Sequence, residues 1–382
     1  MSNILISCGE PSGDLYAGAL AGALGDINPN VRIYGLGGDR LRASGAELVD
    51  HYEGLTATGI SEALAVVPRS YACYRRVLAR ARKDRPDVFV AVDFPEINFR
   101  LAAALRKLGI PVVYYIGPQA WAWRRRRFET MRRLVDLALV IFPFEKALYQ
   151  EAGIPVEFVG HPLLELTGAT ESSESFLCSL GLVPTRPTVA LLPGSRPNEL
   201  RAILPDLVSA AVLISDRIGA VQFVVARAPN LADDLFAPVS ARARNDIPVV
   251  VVDGRVDDVL AAADVVVTAS GTATVQSAIH RRPMVIVYRL STFTYQLVKR
   301  FTHVGHAGMV NLIAGEQIVP ELLQEAFTPS AVAAEVAKFL TDSELTSQTL
   351  DALEKVRQEL GSKGASRRTA EYIVQVAQRT ST

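Results

Sequence analysis

The chain has 382 residues, 49% of them hydrophobic, with 40 basic and 40 acidic side chains and a formal net charge of zero. That length suits about two domains of ordinary size, and so apolar a composition excludes a disordered chain. The even charge balance excludes a general nucleic-acid binder.

Asn3–Ser7 (N-I-L-I-S) is predicted as a buried strand, and Met1–Cys8 lacks the form of a signal peptide. The strand runs into C-G-E-P-S-G-D at Cys8–Asp14 and a helical stretch at Leu15–Leu24, the opening corner of a doubly wound sheet. Gly9 and Gly13 do not make the GxGxxG dinucleotide fingerprint. Val31–Tyr34 is the next strand. The cluster Gly35-Leu36-Gly37-Gly38 after it is either a plain loop or a phosphate loop.

Leu55–Val67 is apolar and interrupted by Gly59. Beyond Pro68, Tyr71, Tyr74, Leu78 and Ala81 share one helical face, and Arg75, Arg76, Arg80, Arg82 and Lys83 cover the rest. A basic helix beside an apolar stretch fits an anionic membrane surface, or a solvated helix packed on its own sheet. Val88–Val92 is an uninterrupted apolar strand, hence central and parallel, and it ends in D-F-P-E-I-N at 93–98. Pro111–Ile116 is another strand, followed by G-P-Q-A-W-A-W-R-R-R-R, which sets Trp121 and Trp123 against Arg124 to Arg127. An aromatic pair beside four arginines suits lipid headgroups or a phosphate. Leu137–Phe142 and Val156–Val159 complete the first series, with a helix around Lys146–Ala152 between them and Gly160-His161-Pro162 after.

Thr167–Pro187 is polar and Pro-punctuated and is predicted as a linker. It separates an N-terminal domain at 1–166 from a C-terminal domain at 188–345, with further helices at 346–382. The second series has strands at Thr188–Leu192, Val221–Ala226, Val249–Val252, Val265–Val267 and Met284–Tyr288, and helices such as Pro205–Ile218 and Val256–Ala263. Two such arrays predict an α/β fold of two Rossmann-like domains with a cleft between them. Thr292–Val304, Pro320–Ala326 and Ser330–Ala377, apart from Gly361–Gly364, read as helical. No apolar run reaches the ~18 residues of a membrane span, so a cytoplasmic or peripheral membrane protein is expected. Cys8, Cys73 and Cys178 form no CxxC pair, which indicates neither a disulfide framework nor a zinc site.

Two corners of the second array have phosphate-binding character. A-L-L-P-G-S-R-P-N-E at 190–199 and V-V-V-T-A-S-G-T-A-T-V-Q-S-A at 265–278 each end a strand and open a helix. A helix start offers unpaired N–H groups and a positive dipole end. Either corner alone is also an ordinary strand–turn–helix junction. As a pair, with Arg196 able to fork onto a diphosphate, they point to a nucleotide diphosphate. No Walker A lysine or D-x-D pair occurs, so no metal and no other cofactor is expected. His303 and His306, spaced i, i+3, are either a metal pair or the polar side of a helix. The acid–base candidates are Glu10, Asp14, Asp93, Glu96 and His161. Asp93, at the tip of the central strand, is either a base for an acceptor hydroxyl or a helix N-cap.

Taken together, G-E-P-S-G-D (9–14), G-L-G-G (35–38), G-I-S-E (59–62), D-F-P-E-I-N-F (93–99), P-Q-A-W-A-W-R (118–124), P-F-E (143–145), G-H-P (160–162), L-L-P-G-S-R-P-N-E (191–199), S-G-T-A-T (270–274), Y-R (288–289) and N-L-I-A (311–314) closely resemble the lipid-A-disaccharide synthase family over essentially the whole chain. The resemblance implies a glycosyltransferase B-type fold and the transfer of diacylglucosamine from its UDP conjugate onto 2,3-diacylglucosamine 1-phosphate at the inner face of the cytoplasmic membrane. By position it implies Asp93 as general base. It implies Gly194, Ser195, Arg196, Ser270, Gly271, Thr272, Gln276 and Asn311 on the UDP side. Glu10, Ser12, Gly13, Asp14 and Asn98 would line the acceptor side, and Arg75, Arg76, Arg80, Trp121, Trp123 and Arg124 would face the lipid. Two positions depart from the family pattern: Glu96-Ile97 stands for the usual Asp-Phe, and Gln276 for the usual Glu. The implied partners are the two acylated sugars and an anionic membrane, with no nucleic acid; whether the chain forms a homodimer stays open. A UDP-sugar epimerase of the same architecture and a non-catalytic peripheral membrane protein are the alternatives.

Overall fold

In a computed structural model of the chain, the described residues are 2–55, 60–118, 126–229, 231–242, 247–289 and 306–379, with the side chains of 60–65, 126 and 242 outside the description. They form two compact units, Met1–Pro162 with Leu360–Thr382, and Leu163–Glu359.

The first unit is built on seven strands: β1 (Asn3–Ser7), β2 (Arg32–Gly37), β3 (Glu47–His51), β4 (Val88–Val92), β5 (Val112–Tyr115), β6 (Leu137–Val140) and β7 (Val156–Phe158). They lie in the order β3-β2-β1-β4-β5-β6-β7, and every pairing is parallel. A parallel sheet is covered on both faces, which requires continuous apolar strands. Ile4, Leu5 and Ile6 of β1 and all five residues of β4 are buried accordingly. The second unit has β8 (Thr188–Leu192), β9 (Gln222–Arg227), β10 (Val249–Asp253), β11 (Val265–Ala269), β12 (Met284–Tyr288) and β13 (Glu321–Leu323), in the order β10-β9-β8-β11-β12-β13 and again wholly parallel. Each order repeats the 3-2-1-4-5-6 pattern of a doubly wound sheet, so each unit has a switch point where ligands collect. These points lie beyond β1 and β4 in the first unit, and beyond β8 and β11 in the second.

Several expected boundaries shift. Residues 167–187 are not a free linker. Helix Ser173–Ser179 lies there, capped by Ser172 Oγ on the Ser175 amide at 3.2 Å, and Phe176 is fully buried in the second unit's core. Asp258 accepts from the Thr170 amide at 2.6 Å, which ties the preceding residues to the same unit. The polar composition hid three apolar anchors, Phe176, Leu177 and Leu182. The C-terminal stretch also divides. Helix Ser343–Glu359 stays with the second unit, while Ala365–Arg379 returns to the first, where Arg368 Nε donates to the Val159 carbonyl at 2.9 Å. Helical periodicity shows that a face is apolar but not which sheet it covers.

Within Pro320–Ala326 the structure has the edge strand β13 and a 3-10 turn at Gln324–Ala326 instead of a helix. Helix Pro197–Ile218 begins eight residues before the expected start, with Pro197 in its first turn and Pro205 inside. The cluster at 35–38 is strand and helix cap rather than a phosphate loop: Gly35 and Gly37 belong to β2, and Gly38 precedes helix Asp39–Ala43. Thr292–Val304, expected to be helical, lies outside the described residues.

Two glycines of the first unit have opposite roles. A Cβ on Gly9 would stand 2.1 Å from Cγ of Phe94, so the Phe94 ring occupies the space a side chain would need. Nothing lies within 4 Å of a Cβ on Gly22, on the exposed side of helix Pro11–Ile27. Gly9→Ala is therefore expected to destabilise by about 1–3 kcal/mol through overpacking. Gly22→Ala should stabilise by about 0.5–1 kcal/mol through helix propensity. Urea midpoints at constant slope check both, and equal shifts would contradict the close approach of Gly9 to Phe94.

Candidate active site

Beyond β4 the backbone makes an unusual turn. Asp93 and Phe94 both have positive φ, 46° and 48°. Left-handed geometry at a residue with a Cβ costs of order 1–3 kcal/mol and persists only where the surroundings enforce it. The Asp93 amide donates to the Tyr115 carbonyl at 3.2 Å. The Asp93 carbonyl accepts from Asn98 Nδ2 at 2.7 Å and from Tyr114 Oη at 2.8 Å. The helix Pro95–Arg106 then starts with Phe94 at its N-cap position. The Asp93 carboxyl is thus not the N-cap that its sequence position also allowed.

Asp93 is half-buried, and its pKa is raised to about 7. Burial is the main cause, and the charges of Glu10 and Glu96 add to it; a hydrogen bond from the Phe94 amide and the Arg127 guanidinium act in the opposite sense. Glu10 stands just before helix Pro11–Ile27, whose first turn carries half-buried Ser12 and buried Gly13. Glu96 is exposed and pairs with Arg127 at 3.5 Å. The switch point of the first unit therefore presents a carboxyl able to gain or lose a proton near neutrality, with two further carboxylates around it.

Three candidates turn inward instead. The buried carboxylate of Asp14 accepts from the amides of Gly38 at 2.6 Å, Arg40 at 2.9 Å and Leu41 at 3.2 Å, so it braces the start of helix Asp39–Ala43 against the first turn. Asn98 is fully buried, and its Nδ2 also reaches the carbonyls of Ser7 at 3.1 Å and Val92 at 3.4 Å. His161 is buried between Tyr16 and Phe142, and burial lowers its pKa to about 3. A neutral imidazole in that setting does not supply a proton at working pH.

In the second unit, the turn after β8 places Arg196 at the N-cap of the 22-residue helix Pro197–Ile218. Gly194 has φ of 117°, and a Cβ there would meet Glu199 Oε2 at 2.5 Å, so glycine is required on both counts. Glu199 organises this corner. Its carboxylate accepts from the exposed Ser195's amide at 3.2 Å and from Arg196 Nη1 at 3.0 Å, and it also takes the Tyr288 hydroxyl's hydrogen bond. The Arg196 side chain is still 41% exposed, which leaves its guanidinium reachable by a ligand.

The turn after β11 puts Ser270, Gly271 and Thr272 at the start of helix Thr272–Ile279, with Gly271 and Thr272 exposed and Gln276 half-buried one turn on. Parallel pairing of β8 with β11 sets the two corners side by side. Ser270 Oγ donates to the Ala307 carbonyl at 2.9 Å.

Asn311 does not join this group. It is fully buried; its Nδ2 donates to the Val319 carbonyl at 2.9 Å and Glu321 Oε1 at 2.7 Å, and its Oδ1 accepts from the amides of Ile318 at 2.9 Å and Val319 at 3.1 Å. A carboxamide offers two donors and an acceptor with two lone pairs, so its capacity is spent inside the fold. Its reach is indirect. Glu321 accepts from the amides of Ala307 at 2.8 Å and Gly308 at 2.9 Å, and Ala307 in turn receives Ser270 Oγ.

Of the expected membrane arginines, Arg76 Nε donates to Asp50 at 2.9 Å, and Arg80 Nη2 to Glu47 at 2.8 Å, with Asp84 also bound to Arg80. Both are ion-paired with β3 or their own helix, while the Arg76 side chain stays 49% exposed. Arg75 is exposed. Trp121, Trp123 and Arg124 lie outside the described residues, as does His303. On the same helix, Ile60–Asp84, Val67 is 56% exposed and Tyr71 55%, and the Tyr71 and Tyr74 rings stack at 6.4 Å.

Sequence reasoning passed over Tyr114, Glu199 and Glu321, and took Arg127 only as part of the arginine run at 124–127. Glu199 was findable, since Glu in the third position of a helix is a capping-box signature. The others act across the fold from distant strands and helices and leave no local signal.

A family model described as lipid-A-disaccharide synthetase matches residues 4–377. The lipid-A-disaccharide synthase of Myxococcus xanthus is 39% identical over 373 residues, 98% of this chain and 97% of that protein. Among solved structures, the UDP-GlcNAc 2-epimerase from Neisseria meningitidis bound to UDP-GlcNAc superposes with a TM-score of 0.66 at 11% identity, covering 98% of this chain and 100% of that one. The glycotransferase of kitacinnamycin gives 0.65 at 16% identity, with 98% of each chain covered. Likeness at such identities concerns the fold alone, here two Rossmann-like domains of the glycosyltransferase B type, as expected. The sequence matches decide between transferase and epimerase, which the shared fold does not: the chain belongs to the lipid-A-disaccharide synthase family, glycosyltransferases of the condensation step in lipid A biosynthesis.

Proposed function

We propose that Asp93 takes the proton from the 6-hydroxyl of 2,3-diacylglucosamine 1-phosphate as that oxygen attacks the anomeric carbon of UDP-2,3-diacylglucosamine. A carbon–oxygen bond forms on one face of the sugar while the bond to the UDP oxygen breaks on the other, so a single displacement inverts the anomeric centre. The observation that carries this reading is the half-buried Asp93 carboxyl, raised to about 7 at the tip of a central strand. A base poised near the working pH combines availability with proton-accepting strength.

The diphosphate is assigned to the second unit's paired corners. Arg196 would fork onto it, and the exposed Gly271–Thr272 helix start would meet the charge that builds as UDP leaves. Gln276, half-buried one turn further, is placed to accept from a ribose hydroxyl, more weakly than the Glu usual in the family. Glu10, Ser12 and Gly13 border the acceptor's position.

Release of UDP should require both sugars. UDP formed from the donor alone, or an isomerised donor, would overturn the transferase chemistry for this chain. Asp93→Asn is expected to lower kcat by roughly 10²–10⁴-fold, the usual worth of a general base, with UDP binding little changed. In the wild type kcat/KM should rise with pH up to about 7 and level off above it, because the ionised carboxylate is the active form. A near-normal rate in Asp93→Asn, or a flat profile from pH 5 to 8, removes Asp93 from this role.

Arg196→Ala should weaken product inhibition by UDP, and Arg196→Lys should restore it only in part because the fork is lost. Unchanged inhibition in both variants would free Arg196 of the ligand.

Both acylated substrates reside in a bilayer, so the enzyme must dock on a lipid surface. No helix among the described residues is long and apolar enough to cross one. The docking face proposed here is the exposed edge of helix Ile60–Asp84 at Val67, Tyr71 and Arg75, together with the segment around Trp121, Trp123 and Arg124. Apolar side chains would enter the interface, and each nearby arginine would add about 1 kcal/mol against anionic lipid. Val67→Ser, Tyr71→Ser and Arg75→Ser combined should reduce recovery with anionic vesicles and leave UDP affinity intact. Arg76→Ser should instead lower stability, since it breaks the pair with Asp50. Vesicle recovery equal to wild type in the triple variant would sink this face.

A further inference from the structure

The turn at Asp93-Phe94 is held from one atom. Both lone pairs of the Asp93 carbonyl oxygen are taken, by Asn98 Nδ2 at 2.7 Å and Tyr114 Oη at 2.8 Å. The two donors come from different elements, the helix after the turn and the neighbouring strand β5. Asn98 spreads the same amide over the Ser7 and Val92 carbonyls, which end β1 and β4, so the turn is fastened to both strands of the switch point. Tyr114 is fully buried, with its ring against Phe99 at 5.5 Å, and burial pushes its hydroxyl well above the ordinary range, so it stays a donor at every working pH. Two consecutive left-handed residues with side chains do not persist without such fastening. Once the carbonyl is drawn inward, the backbone dihedral that remains at Asp93 is fixed, and with it the direction in which its Cβ leaves the turn.

We infer that Asn98 and Tyr114 are positioning residues for the reaction, which pin the Asp93 carbonyl so that the left-handed turn aims the Asp93 carboxyl at the acceptor hydroxyl. This rests on the reading of Asp93 as the base. Neither residue touches substrate; both act through Asp93.

Tyr114→Phe deletes one hydroxyl and keeps the ring packing. A purely structural hydroxyl would change the melting temperature and nothing else. A positioning hydroxyl changes the chemistry. We expect kcat to fall roughly 10- to 100-fold, the scale of a base displaced by about 1 Å, with the donor KM unchanged. The acid limb of the pH profile should move below the wild-type value, because a loosened carboxyl gains water. Asn98→Ala should show the same pattern with a larger loss, and if that variant fails to fold, Tyr114→Phe decides. The control is Tyr114→Phe on the Asp93→Asn background, where the hydroxyl should cost nothing further in kcat. Wild-type kcat and pH profile in Tyr114→Phe, or an equal loss on both backgrounds, overturns the inference while leaving Asp93 as base. Near-normal turnover in Asp93→Asn alone overturns the base and the positioning role with it.

Discussion

Where β1 pairs with β4, and again where β8 pairs with β11, the chain reverses the direction in which it builds each sheet. The crossovers on either side of that seam depart to opposite sides, and their loops part above it. Every residue proposed for chemistry follows from this pairing. β1 delivers Glu10, Ser12 and Gly13, and β4 delivers Asp93; β8 delivers Gly194 to Arg196, and β11 delivers Ser270 to Thr272. The sequence achieves the pairing by making the seam strands largely apolar, since strands buried on both faces have no solvent side to alternate toward. A polar residue in the middle of β4 or β11 would cost far more than the same residue in half-exposed β3.

The same topology sets several helix starts near the seams, and the protein treats them differently. Asp14 fills the start of Asp39–Ala43, and Glu199 takes the Ser195 amide before Pro197–Ile218. Glu321 takes the Ala307 and Gly308 amides before helix Met309–Ala314. Each is a carboxylate at the positive end of a helix, where it stabilises the fold. Among the described residues, no carboxylate is hydrogen-bonded to the start of Thr272–Ile279, where Gly271 and Thr272 are exposed. A diphosphate bound there, as proposed, would meet no carboxylate hydrogen-bonded to that helix start among the described residues. At the neighbouring corner Glu199 already draws on Arg196, so a phosphate would have to share or displace that contact. This difference favours the Ser270–Thr272 corner as the anchor of the proposed diphosphate.

The chain showed its architecture through β-branched runs and Gly-Ser corners, because these are local requirements of a parallel sheet and a tight turn. It did not show which polar motif residues face a ligand. Asp14 and Asn98 share motifs with Ser12 and Asp93, Asn311 stands in a motif of its own, and nothing in their identity marks these three as buried supports rather than proposed ligand contacts. Burial separates them, and burial is decided by residues far along the chain: Gly38 to Leu41 for Asp14, Val319 and Glu321 for Asn311. The partners of Arg76 and Arg80 were hidden for a related reason. A row of arginines on a helix looks like a cationic face until β3 places Asp50 and Glu47 opposite it. The stretch 167–187 shows the converse, since its polar majority hid the few apolar residues that decide where it packs.

Asp93 joins stability to function with a definite sign. An ordinary Asp titrates near 4 in the unfolded chain, and this one near 7 in the folded protein. Between those values the folded state retains a proton that the unfolded state has lost. Stability therefore falls as pH rises through the window from about 4 to about 7, and the cost is complete above it. Burial, Glu10 and Glu96 impose that cost, and Arg127 relieves it only in part. The strained backbone at Asp93 and Phe94 adds to it. Both penalties meet at Asp93, whose carboxyl caps no helix. Asn98, Tyr114 and Tyr115 hold the turn against them. A carboxyl relaxed into water and right-handed geometry would make a more stable protein and a weaker base, with its proton affinity back in the ordinary carboxylate range.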